Sequence, residues 1–548
     1  MPPTTPTKDV TPREELLAVH EIQGNILAGF NKDHQHFLFL RIHDREIAKR
    51  WLQTLAPRIA TTAEVLAFNR LYRSLRTRAG GDPQGLSATW INLAFTISGL
   101  AKLTSPQAVA AFEHLDFPFY AGLQQRSTLL GDPTAATEEG HTSHWRVGGE
   151  NNSVDLLLMI ASDQPDLLAQ TVAGLQAELA ALPLTANGKL ALEPIFEQPA
   201  EARADKPGHE HFGFKDGVSQ PGVRGRVSRA AGDFLTPRLL HPDDPLAPQL
   251  ARPGQPLLWP GQFILGYQTQ NNQHPTQPGP LLRPRPAWTR NGSFLVVRRL
   301  KQNVTGFWQF LTVTAAQLAS QPGFAGMTAE RLGTLLVGRW PSGAPLMRAP
   351  LADSAALARD GLANNHFFYG VDTPPLALTV PTYPGDNFPP AHEDFLGAVC
   401  PHFAHVRKVN PRDMGTDTGG ANDTLTRLIL RRGIPFGTPM ADPLQPTPTD
   451  LHGERGLMFL CYQSSIANQF EFLMTHWTNS PNQPQAGGID PIIGQREDAL
   501  GKRIRQLELQ GTDGSKETIM WPADWVIPTG GDYFFAPSIS ALTKTLAR

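Results

Sequence analysis

Three short stretches carry side chains whose types and spacing suit chemistry. CPHFAHVRKVNPR, Cys400 to Arg412, sets His405 among Phe403, Ala404 and Val406, with Arg407, Lys408 and Arg412 beyond. An imidazole among small and aromatic neighbours suits a buried axial metal ligand, and the cations after it suit acidic groups on a cofactor's edge. His402 competes with it, and a core histidine satisfied by hydrogen bonds is the plainer reading of either. ILRRGIPFG, Ile429 to Gly437, ends an apolar run in Arg431 and Arg432. A guanidinium leaving a buried run needs an anion or a polar cavity, because an unpaired buried charge is costly. Spacing does not say which of the two points inward, or whether either does more than pair at the surface. FGFKDGVSQPG, Phe212 to Gly222, holds Asp216 between Gly213 and Gly217. Their freedom at positive φ lets the backbone come close to something flat and present a carboxylate uncrowded. The alternative is a surface turn, Asp-Gly being a common turn pair.

Other chemistries fall away. His209 and His211 would share one face of a strand, but two ligands do not close a zinc site and no third stands at a telling distance. HExxH, GxSxG, P-loop and dinucleotide fingerprints are absent. Cys400 and Cys461 are the only cysteines, too few for a disulfide framework and without a CxxCH attachment, so any haem is held non-covalently. Lys+Arg 48 against Asp+Glu 50 leaves no net field for nucleic acid or an anionic membrane. No apolar run approaches a bilayer span. The opening MPPTTPTKDVTPREELL lacks the basic and apolar regions of a secretory leader, so a cytoplasmic location is expected unless a leader has been trimmed.

At 548 residues the chain is expected to hold two domains. After a polar arm with a short helix (1–20), HFLFLRI (His36 to Ile42) reads as a strand and REIAKRWLQTLAPRI as a helix with Ile47, Trp51 and Leu52 on one face. The β–α unit recurs at WINLAFTI then SGLAKL, with Ser98 as the expected cap. It recurs at VDLLLMIA, then a helix capped by Ser162 or Asp163 with a stripe of Leu167, Leu168, Val172 and Leu175. From 236 to 290 prolines are dense, interrupted only by strand-like GQFILGY, and a surface connection is expected. Then SFLVVRRL with NVTGFWQFLTVTA, GLMFLCYQ with SSIANQFEFLMTHW, and DYFFAPSISALTKTL repeat strand and helix. The pattern in both halves suggests duplication of an α+β unit, with two unrelated α+β domains as the alternative.

Taken together, the motifs resemble the dye-decolourising peroxidases, in the long fungal and bacterial branch. GFKDG matches that family's GxxDG motif, CPHFAHVRKVNPR resembles its proximal-histidine segment, and ILRRGIPFG its distal-arginine segment. EIQGNILAGF is similar to the opening segment, and GLMFLCYQ and YFFAPS to the closing ones. The resemblance implies an α+β fold of two ferredoxin-like domains with antiparallel sheets: 1–235 carrying the GxxDG loop, 236–290 as connection, and 291–548 seating the haem. It implies Asp216 and Arg431 as catalytic residues and His405, not His402, as the iron ligand. Gly213, Gly217, Arg412 and Phe459 are expected to contact the cofactor, haem b. The compact bacterial branch has asparagine two residues after the arginine; Gly433 stands there, so Asp216 and Arg431 form the distal pair alone.

The function implied is H2O2 reduction with one-electron oxidation of bulky dyes and small phenolic or aromatic reductants through a ferryl intermediate, by a monomer or homodimer. A surface Trp or Tyr is expected to relay electrons from donors too large to enter. A carboxylate should orient the proximal imidazole, and Glu471, on the helix after GLMFLCYQ, is the candidate. The alternative is a non-catalytic porphyrin-binding or iron-handling protein, which would have no need of both Asp216 and Arg431.

Overall fold

The computed structural model describes residues 14–83, 85–283, 286–370, 383, 385–495 and 505–548. Residues 1–13 of the expected arm lie outside them. The apolar runs become the strands of one antiparallel sheet: β1 (His34–Ile42), β2 (Thr89–Phe95), β3 (Leu156–Ser162) and β4 (Leu192–Glu201) in the first half. The second half contributes β5 (Ser293–Gln302), β6 (Leu430–Arg431), β7 (Ile434–Phe436), β8 (Gly456–Gln463) and β9 (Val526–Ala536).

The first half pairs in the order β4-β1-β3-β2 and the second in the order β9-β5-β8-β6, with β7 also on β8. Both are the 4-1-3-2 order of a ferredoxin-like unit, so the repeated β–α texture corresponds to a repeated topology. The halves join edge to edge at β9 and β2, through Phe535 opposite Phe95, making a nine-stranded sheet. β3 is buried along its whole length, as expected of a strand covered on both faces. One face packs Leu38, Leu158, Phe294 and Phe535 under helices, and the other packs Phe37, Phe39, Leu295 and Phe534.

The helices follow the sequence with differences at their ends. Helix α1 is one turn, Gly24–Leu27, and α2 (Arg45–Leu55) buries Ile47, Trp51 and Leu52 as expected. Helix α3 (Thr62–Ala79) carries a Thr61/Glu64 capping box and was not anticipated, because only Thr62 and Val65 are buried and no long apolar stripe marks it. Helix α4 (Ile97–Leu103) is capped by Thr96 rather than Ser98, Thr96 accepting from the Gly99 N–H. Helix α5 (Pro165–Ala180) starts after Gln164 with no side-chain cap, since Asp163 is held by Lys32. Its buried face is Val172, Leu175 and Leu179.

The proline-rich stretch departs most from expectation. Trp259, Phe263, Ile264, Leu265 and Tyr267 are buried, and several pack in the core beneath both halves. GQFILGY is not a strand: it begins as a 3-10 turn, Pro260–Gln262, and prolines there shape a buried loop. Among the described residues no helix is long and apolar enough to cross a membrane.

Candidate functional site

In the second half, helix α6 (Ala329–Val337), the short helix α7 (His405–Val409), and strands β5 and β8 line a cavity of about 290 Å³. Its wall carries His405, Asp216, Gly217, Arg431, Arg412 and Phe459 together. Most of the remaining lining is aliphatic or aromatic, including Leu300, Phe470, Leu473 and Ile493. The 210–221 loop is the first half's contribution to the wall.

That loop is a tight hairpin. His209 bridges Lys215, the Glu210 N–H donates to Phe214 O (3.1 Å), and the Asp216 N–H to Gly208 O (2.9 Å). Gly213 and Gly217 take φ of 95° and 72°, the left-handed region that glycine enters without strain. The hairpin is filled by the Glu210 carboxylate, which accepts from Phe212 N (2.7 Å), Phe214 N (2.8 Å) and Gln302 Nε2 (2.5 Å). Burial pushes Glu210 up to about 7, against those bonds. Gly213 shapes the turn and does not itself line the cavity, whereas Gly217 does.

Asp216 Oδ1 accepts from its neighbour's Gly217 N–H (2.6 Å) and from Arg431 Nη1 (2.7 Å). Oδ2 has no partner among the described residues. Burial raises the carboxyl's pKa, but the Arg431 charge and the Gly217 N–H outweigh it and hold Asp216 below the ordinary value. Arg431 sits at the end of β6, where Leu430 and Arg431 pair with Tyr462 and Cys461 of β8. Gln220 clamps its backbone on both sides, accepting from its N–H (3.2 Å) and donating to its carbonyl (3.1 Å). Arg431 Nη2 donates to Ser219 O (2.9 Å). Arg432 turns the other way and donates to the carbonyls of Asn25, Ile26 and Leu27 at the end of α1. Of the two arginines, Arg431 is therefore the one on the cavity.

His405 opens helix α7, and its Nδ1–H donates to Asp490 Oδ2 (2.8 Å). Asp490 is fully buried and is fixed by the N–H groups of Ile492 (2.8 Å) and Ile493 (3.0 Å) on Oδ1. Nε2 is left as the ring nitrogen available to the cavity. Burial lowers the imidazole's pKa, but the charge and hydrogen bond of Asp490 outweigh it, so the value stands above the ordinary one. His405 also feels the charges of Arg431 and Asp216, though it bonds to neither. His402 has both ring nitrogens on carbonyls, Ala486 O and Phe395 O, each at 2.9 Å.

Glu471 is not the partner of His405. Its carboxylate takes two bonds from Arg126 (2.9 and 2.6 Å) and one from the Tyr533 phenol (2.9 Å). Asp490 has the role, from a loop rather than from the helix after β8. His209 and His211 end on backbone carbonyls, Pro341 O (3.0 Å) and Phe436 O (2.9 Å). Among the described residues no cluster of three or more His, Cys, Asp or Glu could hold a metal ion.

Sequence reasoning also missed Arg339 and its relation to Arg412. Arg339 donates to Gly343 O, Asn364 O and Asn365 Oδ1. Arg412 donates to Asn365 O, Phe367 O and that same Asn365 Oδ1. Neither has an ion pair among the described residues, and burial and then Arg412 pull Arg339 down to about 9. Two guanidiniums sharing neutral acceptors on a cavity wall are a site for anions. The signal in the sequence was the one used for Arg431: LLVGRW also ends an apolar run in an arginine. Asp490 gave a fainter one, a lone acid in GGIDPIIG.

A flat apolar group that carries two carboxylates and a metal able to take a nitrogen ligand fits these residues. His405 faces the cavity with a free nitrogen, and Asp216 and Arg431 stand on its wall without contacting His405. The unpaired Arg339 and Arg412 match acidic substituents.

Two family models match the chain: the DyP dimeric α+β barrel domain over 21–185 and the Dyp-type peroxidase C-terminal domain over 372–486. A dye-decolorizing peroxidase of Mycetinis scorodonius, msp1, is 32% identical over 97% of this chain and 88% of its own length. The multifunctional dye peroxidase DyP2 of an Amycolatopsis species is 28% identical over 96% of each. Among solved structures, an ancestral D-type dye-decolorizing peroxidase superposes with a TM-score of 0.72 at 30% identity, covering 97% of this chain and all of its own. The fungal DyP-type peroxidase of Auricularia auricula-judae gives 0.70 at 28%, over 97% of this chain and 99% of its own.

Proposed function

The chain belongs to the dye-decolourising peroxidase family, and from that premise we propose how its own residues divide the work. It is a haem peroxidase acting on H2O2 and dyes, and the porphyrin-carrier alternative is not favoured by relatives that are peroxidases. The haem is haem b, held without a covalent bond. When bound, it supplies an iron centre that takes oxidising equivalents from H2O2 and accepts electrons one at a time from donors.

His405 Nε2 would hold the iron, and Asp490 fixes the imidazole's orientation and tautomer by accepting its Nδ1–H. Arg412 and Arg339 would hold the haem's propionates. The 291–548 half thus supports the haem, and 1–235 delivers Asp216 through the hairpin that Glu210 fills, with 236–290 between them. Asp216 Oδ2, the oxygen without a partner, takes a proton from one peroxide oxygen and returns it to the other, which is general acid–base work for an ionised carboxylate. Held below its ordinary value by Arg431, Asp216 remains a base in mildly acidic solution. Arg431 stabilises negative charge building on the peroxide as the O–O bond lengthens. The apolar wall keeps water from competing.

The observation that carries this reading is the meeting of His405 with the Asp216–Arg431 pair on one cavity wall. Hemin added to the purified protein should give a Soret band that survives gel filtration in the wild type and not in His405→Ala. One equivalent of H2O2 should then shift that band at once and a dye should restore it. A band indifferent to peroxide overturns the proposal.

A further inference from the structure

Tyr533 and Glu471 lie behind the cavity, outside the machinery assigned above. Tyr533 projects from β9 and is fully buried. Its phenol donates to Glu471 Oε1 at 2.9 Å, within reach for direct proton transfer. Glu471 is also buried, and Arg126 fixes both its oxygens, Nε on Oε1 (2.9 Å) and Nη2 on Oε2 (2.6 Å). Burial and then the Glu471 charge push the phenol well above the ordinary tyrosine value, so it does not simply ionise. Removing an electron from a phenol makes its O–H strongly acidic, and here an acceptor is already in place.

The path to the cavity is one ring long. Phe470 forms part of the wall and meets the Tyr533 ring edge-on, with centroids 6.2 Å apart. Phe459, also on the wall, packs on Phe470 at 6.1 Å. Among the described residues, the buried Tyr462 and Tyr267 meet neutral partners instead, the Met159 sulfur at 3.8 Å and the Asn291 amide oxygen at 2.9 Å. A tyrosine needing only a structural hydrogen bond would do as well with such neutral partners.

We propose that Tyr533 is an internal one-electron donor, with Glu471 as its proton acceptor, which fills in when an external donor is late. Tyr533 gives one electron to the peroxide-oxidised cofactor and its phenolic proton to Glu471 Oε1. A neutral tyrosyl radical then faces a neutral carboxyl group. H2O2 takes two electrons and two protons to become two waters; Tyr533 supplies one electron, an aromatic donor the other, and solvent the protons. A later donor electron, with the proton held on Glu471, restores the phenol.

The inference rests on the peroxidase reading, and its test separates the two. Haem-loaded protein is mixed with one equivalent of H2O2 without donor, frozen, and examined by electron paramagnetic resonance, with natural and ring-deuterated tyrosine. The wild type should show an organic radical whose hyperfine structure narrows on deuteration. Tyr533→Phe, which keeps the ring and its packing, should lose that signal while its Soret band still responds to peroxide. Glu471→Gln should lose most of it. A tyrosine signal undiminished in Tyr533→Phe, or none in a wild type whose Soret band does respond, overturns the inference alone. An undiminished signal in Glu471→Gln overturns the part given to Glu471. A Soret band that ignores peroxide overturns both readings.

Discussion

Replacing Asp216 with Asn separates chemistry from architecture at this site. The amide keeps the size of the carboxylate and can still accept from Gly217 N and Arg431 Nη1 through one oxygen. It cannot take a proton at the position of Oδ2. General acid–base catalysis is worth about 10²- to 10⁴-fold, or roughly 3 to 5 kcal/mol of barrier. The structural loss is far smaller. The Asp216 and Arg431 side chains are 37% and 29% exposed to the cavity and solvent, and ion pairs with that much solvent contribute about 0–1 kcal/mol. His405, Arg339 and Arg412 are untouched, so hemin binding should be as in the wild type. Stopped-flow mixing with H2O2, read at the Soret band, should therefore show a rate lower by two to four orders of magnitude in a protein with nearly unchanged thermal stability. The pH profile adds a second check. A carboxyl held below its ordinary value keeps its base function until pH falls through that lower value, so the wild-type rate should decline only in strong acid. Asp216→Asn should lack that decline. A rate within tenfold of wild type, or an unchanged acid limb, would refute the role given to Asp216.

Three further outcomes follow from buried carboxylates. Asp490→Asn keeps the shape beside His405 but removes the charge on its Nδ1–H, and should weaken hemin retention by about 10- to 100-fold, measured by transfer to an acceptor apoprotein; unchanged retention would show the hydrogen bond to be incidental. Glu210→Ala strands the N–H groups of Phe212 and Phe214, and should cost about 1–3 kcal/mol in urea unfolding of the apoprotein. Asp532, raised by burial from 3.8 to about 7, holds a proton in the folded chain that the unfolded chain releases between those values. Its contribution to stability is full below pH 3.8 and is lost as pH rises through about 7. Asp532→Asn should flatten the fall in melting temperature across that window, and an unaltered slope would refute the assignment.

What the sequence disclosed was local. The β–α texture could be read because strand and helix carry their own periods, and the two 4-1-3-2 halves follow from it. The Asp216 hairpin could be read because its conformation is written in Gly213 and Gly217. Where an element leaned on distant partners, local signals misled. Helix α3 buries so little that it has no stripe. The 236–290 stretch reads as surface because prolines resemble linkers, yet Trp259 and Phe263 sit in the core. Proline restricts φ and removes a donor; it says nothing of burial.

Glu471 and Asp490 show why site partners are harder still. Both are buried acids, each needing donors to justify its charge, and either could have met the imidazole. The choice was made by chain closure: the π-helical turn Leu473–Thr478 and the loop after it bring Asp490 under α7, 85 residues from His405 in sequence. The same closure sends Glu471 to Arg126 and Tyr533, from the first half and the last strand. A carboxylate that merely balanced Arg126 would have no reason to meet a phenol at 2.9 Å one ring behind the cavity. The acid misassigned from sequence thus remains tied to the same chemistry, on the side where electrons and protons leave a tyrosine rather than where the imidazole is oriented.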